Sequence, residues 1–141
     1  MPTENEIAAY LRGLQSRSLL RRGYNVQARA RRLLSGDAGH PRRVNTGDLR
    51  SSVQVTLVHV GADPAVRVGS NRRKATWVHR GTGIYGPHHQ VIRPRRAQAL
   101  RFRSAAYGAK TGKNRGYVFA RTVRGMRANH FLSDALSAAK D

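Results

Sequence analysis

The longest periodic signal in the chain lies at its start. Ile7, Tyr10, Leu11 and Leu14 recur at helical spacing, with polar residues between them. The pattern predicts a helix over residues 4–34. Thr3 stands where an N-cap belongs, and Glu6 follows three positions on, the spacing of a capping box. Gly13 and Gly23 weaken this helix, each by roughly 1 kcal/mol relative to alanine, and a bend is expected near Gly23. Beyond Leu20 the stripe is less regular, running through Tyr24, Ala28, Leu33 and Leu34. Gly36 suits a left-handed C-cap, and Pro41 prevents the helix from continuing.

The period then changes. Asn45 and Asp48 have cap spacing, which predicts a single helical turn. It leads into 53–60, rich in β-branched residues, a strand. Gly61-Ala62-Asp63-Pro64 reads as a turn, and 65–68 as the returning strand of a hairpin. Residues 69–74 read as a loop, and Thr76-Trp77-Val78 as a short apolar piece entering the glycine-rich segment 81–87. Residues 90–93 and 99–103 read as two more strands, joined through Pro94-Arg95-Arg96. Leu100 and Phe102 alternate with Arg101 and Arg103, as in a sheet with one wet face. Residues 105–115, with Gly108, Lys110, Gly112 and Lys113, read as a mobile loop. Residues 117–123 read as a strand. Phe131, Leu132, Ala135, Leu136 and Ala139 then give one apolar side to a short helix.

Helix, strands, helix is the order of an α+β fold: a long N-terminal helix, an antiparallel sheet with helices on one face, and a short C-terminal helix. The chain has 141 residues, a length suited to one domain. That domain divides into an N-terminal helix (1–35), a β-rich core (46–123) and a C-terminal helix (129–140). With 39% apolar residues the core is expected to be compact, leaving part of a long helix outside it.

Charge narrows the function further than size does. There are 27 Lys and Arg against 7 Asp and Glu, a formal net charge of +20. No acid lies between Asp63 and Asp134, while 16 Arg and Lys do. Such a field attracts polyanions or an acidic protein and repels copies of itself. Charge alone does not choose between nucleic acid and an acidic protein. The residues singled out for an outward-facing basic surface are Arg72, Arg73 and Lys74 after the hairpin, Arg95 and Arg96 at a strand connection, and Lys110 and Lys113 in the loop. Arg17, Arg21, Arg22, Arg29, Arg31 and Arg32 crowd the second half of the first helix. They read either as a solvated face or as one meeting DNA or another subunit.

Candidate chemistry is sparse. Cysteine is absent, which removes disulfides, cysteine zinc sites and thiol catalysis. Asp37, Asp48 and Asp63 are scattered rather than clustered for a divalent metal. There is no GxSxG elbow and no HExxH pair. Gly81–Pro87 lacks the order of a phosphate-binding loop. His79, His88 and His89 have no fourth ligand at a telling spacing and read as ordinary histidines. No enzyme activity, cofactor or metal is therefore expected. No run approaches eighteen apolar residues, so no membrane-spanning helix is expected. The N-terminal stretch is acidic where a signal peptide carries base. The recognised DNA-binding modules are also missing, although nonspecific phosphate binding is permitted.

Four blocks carry a resemblance. Thr46-Gly47-Asp48-Leu49-Arg50-Ser51-Ser52-Val53 resembles the TGxLRxSI signature of the HK97 gene-product-10-like family of tailed-phage neck and tail-completion proteins. Val78-His79-Arg80-Gly81-Thr82-Gly83 resembles that family's stretch ending in Gly-Thr. Ile92 to Phe102, through Pro94, is similar to its IxPKxAKALRF block. Asn129 to Leu136, through Phe131 and Leu132, is similar to its closing PFLxxAL. Arg80 stands where many relatives carry Glu, and His130 where Pro often precedes the Phe. The resemblance implies a non-enzymatic virion protein of the neck, between head and tail, assembled in the host cytoplasm. It implies a homo-oligomeric ring beside portal-side connector and tail proteins, with genomic DNA passing through the lumen. The other reading open from composition is a nonspecific basic DNA-binding protein. Read as plain structure, Thr46 and Gly47 make a turn, Leu49 is a core anchor, Gly81 and Gly83 permit a tight reversal, and Phe131, Leu132 and Leu136 dock the last helix.

Overall fold

The computed structural model of the protein describes residues 1–43, 47–104 and 108–139. Its contacts gather into two compact units: Met1–His79 with Asn129–Asp141, and Arg80–Ala128. The fold is α+β, with a long N-terminal helix, antiparallel strands and a short C-terminal helix.

In the first unit, α1 runs without interruption over Glu4–Leu34. Its capping box forms: the Thr3 hydroxyl accepts from the Glu6 amide, and the Glu6 carboxylate accepts from the Thr3 amide at 2.8 Å. Acidic Glu4 and Glu6 lie in the first turn and basic Arg31 and Arg32 in the last, each suited to its end of the helix dipole. Gly36 takes the expected left-handed conformation just past the end.

Only the second half of α1 is packed. Gly23, Val26, Ala30 and Leu33 are buried at three- and four-residue steps, with Leu34, four after Ala30, buried beside them. They meet the hairpin of β1 (Val53–Val60) and β2 (Asp63–Ser70), and α4 (Phe131–Ala138). The core is completed by Leu49, Val53, Ala75, Val78, Phe131 and Ala135. Gly23, read from the sequence as a weak point, is where the helix touches the sheet. A Cβ there would lie 2.6 Å from Val66 Cγ1 and 2.8 Å from Val55 Cγ1. The first half of α1 is bare: Ile7, Tyr10, Leu11 and Leu14 are all exposed.

Side chains of α1 also serve the hairpin. Gln27 Nε2 and Arg31 Nη2 both donate to the Val53 carbonyl, at 2.7 and 3.0 Å. Arg31 is thus tied to the start of β1 rather than standing on a solvated face. Asn129 is buried, and its Nδ2 donates to the carbonyls of Leu33 (3.0 Å) and Pro41 (2.9 Å). It fastens the approach to α4 onto the end of α1.

Several expectations need correction. The turn between β1 and β2 is only Gly61-Ala62, because Val60 pairs with Asp63 and His59 with Pro64. Residues 69–74 are expected as a loop and Thr76-Trp77-Val78 as a short apolar piece, but Arg73–Arg80 form a helix, α3, which buries Ala75 and Val78 on one side. The single helical turn does form, as α2 (Asp48–Ser51), but its N-cap is Gly47. Asn45 and Thr46 lie outside the described residues. The final helix spans Phe131–Ala138, shorter than 129–140. Phe131 is fully buried and Leu132 half-buried, but Leu136 is exposed and does not dock the helix.

In the second unit, β3 (Leu100–Arg103) pairs with β4 (Tyr117–Ala120), opposing Leu100 to Ala120, Arg101 to Phe119, Phe102 to Val118 and Arg103 to Tyr117. One sheet is expected; among the described residues there are two antiparallel ribbons, β1–β2 and β3–β4. Residues 90–93 do not form a strand. Ile92 alone bridges Val123, exchanging hydrogen bonds of 2.8 and 2.9 Å, and Val123 lies beyond the end of β4. Pro94, in the connection, cannot donate to a ladder, and the arginines beside it bring no apolar side chain to pack.

Candidate functional site

Every candidate basic residue is at the surface. Arg72, Arg73 and Lys74 are exposed at the start of α3 in the first unit, and Arg95, Arg96, Lys110 and Lys113 are exposed in the second. Arg72 is less isolated than the acid-poor sequence implied: Nη2 lies 3.1 Å from Asp48 Oδ1. Both side chains are largely in water, so the pair contributes little to stability.

The second unit holds the densest charge. Between Arg80 and Ala128 there are twelve arginines and lysines and no Asp or Glu. Its β3–β4 ribbon sorts its side chains by the two-residue period of strands. Directly opposed residues point to the same face, so Leu100, Phe102, Val118 and Ala120 share one face. Arg101, Arg103, Tyr117 and Phe119 share the other. On that face both guanidinium groups lie over the Tyr117 ring, Arg101 at 4.3 Å and Arg103 at 5.1 Å from its centroid. Arg103, by hydrogen bonding and charge, and then Arg101 hold the Tyr117 phenol below its ordinary value. Phe119 is 52% exposed beside them. Sequence alternation identified the strand, but the aromatic–guanidinium face needed the register of β4.

The residues of the resembling blocks do structural work. Leu49 and Phe131 are core. Arg50 Nη1 donates to Ser35 Oγ at 3.2 Å, tying α2 to the end of α1. Gly81 is buried with φ +80°, and a Cβ would press on Tyr85 O, Met126 O and Ala128 N at 2.8 to 3.0 Å. Only glycine fits such a crossing. Thr82 holds the same crossing: its amide donates to Met126 O at 2.9 Å, and its hydroxyl accepts from the Met126 amide at 3.0 Å. The glycines continue into a 3-10 turn, Gly83–Tyr85, rather than an α-helix. Pro94 is half-buried in the connection before β3.

The histidines divide. His88 and His89 are exposed, while His79 packs edge-on against His130 and Phe131, with ring centroids 5.2 and 5.7 Å away. Among the described residues no group of three His, Asp or Glu is placed to hold a metal ion, and no helix is long and apolar enough to cross a membrane. No family model, curated protein or solved structure matches the chain, so the phage resemblance rests on the four blocks themselves.

Proposed function

We propose that the protein is a structural component of a tailed-phage neck, joining head to tail as a subunit of a ring. The observation that carries this reading is the occurrence of the four resembling blocks in order: 46–53, 78–83, 92–102 and 129–136. The described parts of these blocks include scaffold positions: Leu49 and Phe131 fill the core, and Gly81 and Thr82 hold a backbone crossing. That is the expected use of motif residues in a protein that assembles rather than catalyses. The reading assigns the chain no catalytic step, cofactor or metal.

A ring subunit needs a surface for its neighbour. The first half of α1 offers one, with Ile7, Leu11 and Leu14 exposed at one helical spacing and Tyr10 68% exposed among them. An apolar stripe of this size on an unpacked helix gains free energy when a neighbouring subunit covers it. The basic residues are left for portal-side or tail partners and for genomic DNA in the lumen, where phosphate contacts do not depend on sequence.

A phage carrying an amber codon in this gene tests the proposal. Without suppression, filled heads and free tails should accumulate unjoined, and an antibody to the chain should label the neck of complete particles. Joined, infectious particles lacking the protein would overturn it. One observation favours a second reading, a nonspecific DNA-binding protein: the acid-free unit with twelve bases. That protein would coat DNA in cell extracts and be absent from purified particles.

A further inference from the structure

From the Arg101–Arg103–Tyr117–Phe119 face of the β3–β4 ribbon we infer a binding platform for single-stranded nucleic acid. The inference rests on reading the basic surface as partner-facing, and does not require that the partner be met in a phage neck.

Two like-charged guanidinium groups lie over one ring, Arg101 and Arg103 above Tyr117. Their own unit supplies no carboxylate to relieve their mutual repulsion, because residues 80–128 contain none. A bound anion bridging the two supplies that relief, and guanidinium groups match the geometry of phosphate oxygens. Tyr117 acts as the positioning residue, since both guanidinium groups lie over its ring, at 4.3 and 5.1 Å from the centroid. Phe119 is the opposite case. It stands directly across from Arg101 and its ring is half in water. An exposed aromatic ring beside a phosphate clamp is the arrangement on which an unpaired base stacks. A duplex buries its base faces and can use the arginines but not Phe119. The loop closing the ribbon adds exposed Lys110, Lys113 and Arg115, which extend the positive field along the path of a flexible strand. An acidic protein would satisfy the arginines and leave Phe119 without a role.

The test uses the full chain and a fluorescently labelled thymidine 12-mer, read by anisotropy at 50 and 200 mM salt. A duplex of equal length and poly-glutamate serve as competitors. The 12-mer should bind at the lower salt and weaken steeply at the higher, as counterion release requires. Phe119→Ser should weaken the 12-mer by roughly 5- to 150-fold, the range that loss of one stacked base covers, and leave duplex binding unchanged. Arg101→Ser with Arg103→Ser should weaken both. Phe119 is exposed, so its variant should keep the wild-type melting temperature, and a variant with Arg72, Arg73 and Lys74 changed to Ser controls for charge elsewhere. Equal loss of 12-mer and duplex binding in Phe119→Ser, or no loss, would overturn base stacking. Absence of 12-mer binding at 50 mM salt, or binding of poly-glutamate in preference to the 12-mer, would overturn the platform altogether. These outcomes are independent of whether heads and tails join in the amber mutant.

Discussion

His40 Nε2 lies 2.6 Å from Asp134 Oδ2, linking the segment after α1 to the first turn of α4 across 94 positions of sequence. The other ring nitrogen, Nδ1, lies 3.2 Å from the Ala38 carbonyl. Both ring nitrogens therefore face acceptors, an arrangement that the doubly protonated imidazolium satisfies by donating twice. The hydrogen bond to Asp134 is the main cause that raises the His40 pKa above 6.5.

A raised pKa in the folded state fixes the sign of the pH effect. The contribution of the pair is fully present below the unfolded histidine pKa and is lost as pH rises through the folded one. Asp134 is half exposed, so the effect should be small, about 0.2–1 kcal/mol. Denaturant unfolding of wild type and Asp134→Asn should differ near pH 5.5 and converge near pH 8.5. A gap that widens with pH would refute the assignment. The comparison between the two proteins cancels the titration of the remaining histidines.

Two glycines of α1 should respond oppositely to alanine. At Gly13 a Cβ meets nothing within 4 Å, so Gly13→Ala should stabilise by roughly 0.5–1 kcal/mol through helix propensity. At Gly23 the new methyl would collide with Val55 and Val66, and separating helix from hairpin should outweigh that gain, for a net loss of about 1–3 kcal/mol. Thermal melts of the two variants check the contrast. Equal stabilisation at both sites would show that the helix–hairpin contact is loose.

Phe131 and Leu49 should be costly to truncate, and Leu136 should not. Phe131→Ala should cost about 3–5 kcal/mol and Leu49→Ala about 2–5, because both empty buried sites. Leu136→Ala should stay within about 0.5 kcal/mol, since the side chain is exposed. Denaturant midpoints of the three variants decide the order.

The bare half of α1 should govern self-association. Leu11→Asp with Leu14→Asp should leave the monomer folded, because neither side chain is packed within its own chain. Sedimentation should then show a shift toward monomer relative to wild type. An unaltered oligomer distribution would place the subunit contact elsewhere.

Plasmid DNA incubated with the protein and Mg²⁺ or Mn²⁺ should stay intact. Cleavage that copurifies with the chain and disappears on changing Asp48 or Asp63 would overturn the non-enzymatic assignment.

Elements with local signals are legible in the residues alone. Thr3 and Glu6 mark the start of α1 because a capping box closes within three residues, and Gly36 marks its end for the same short-range reason. The β-branched run 53–60 and its return form a hairpin because only a tight turn separates them. Charge was legible too, since exposure of unpaired arginines follows from the cost of burying them. The other elements depend on packing between distant parts of the chain. Thr76-Trp77-Val78 has strand-like residues, yet it is helical because Ala75 and Val78, three apart, both reach the core. The stripe from Ile7 to Leu14 has the periodicity of a buried face and is bare, because the hairpin and α4 cover only the second half of α1. Gly23 lowers helix propensity, yet Val55 and Val66 lie where its Cβ would be. The Arg101–Tyr117–Arg103 stack depends on strand register, which is set by partners fourteen or more residues away. Local propensity cannot report such a pairing, because its free energy exists only once both strands are in place.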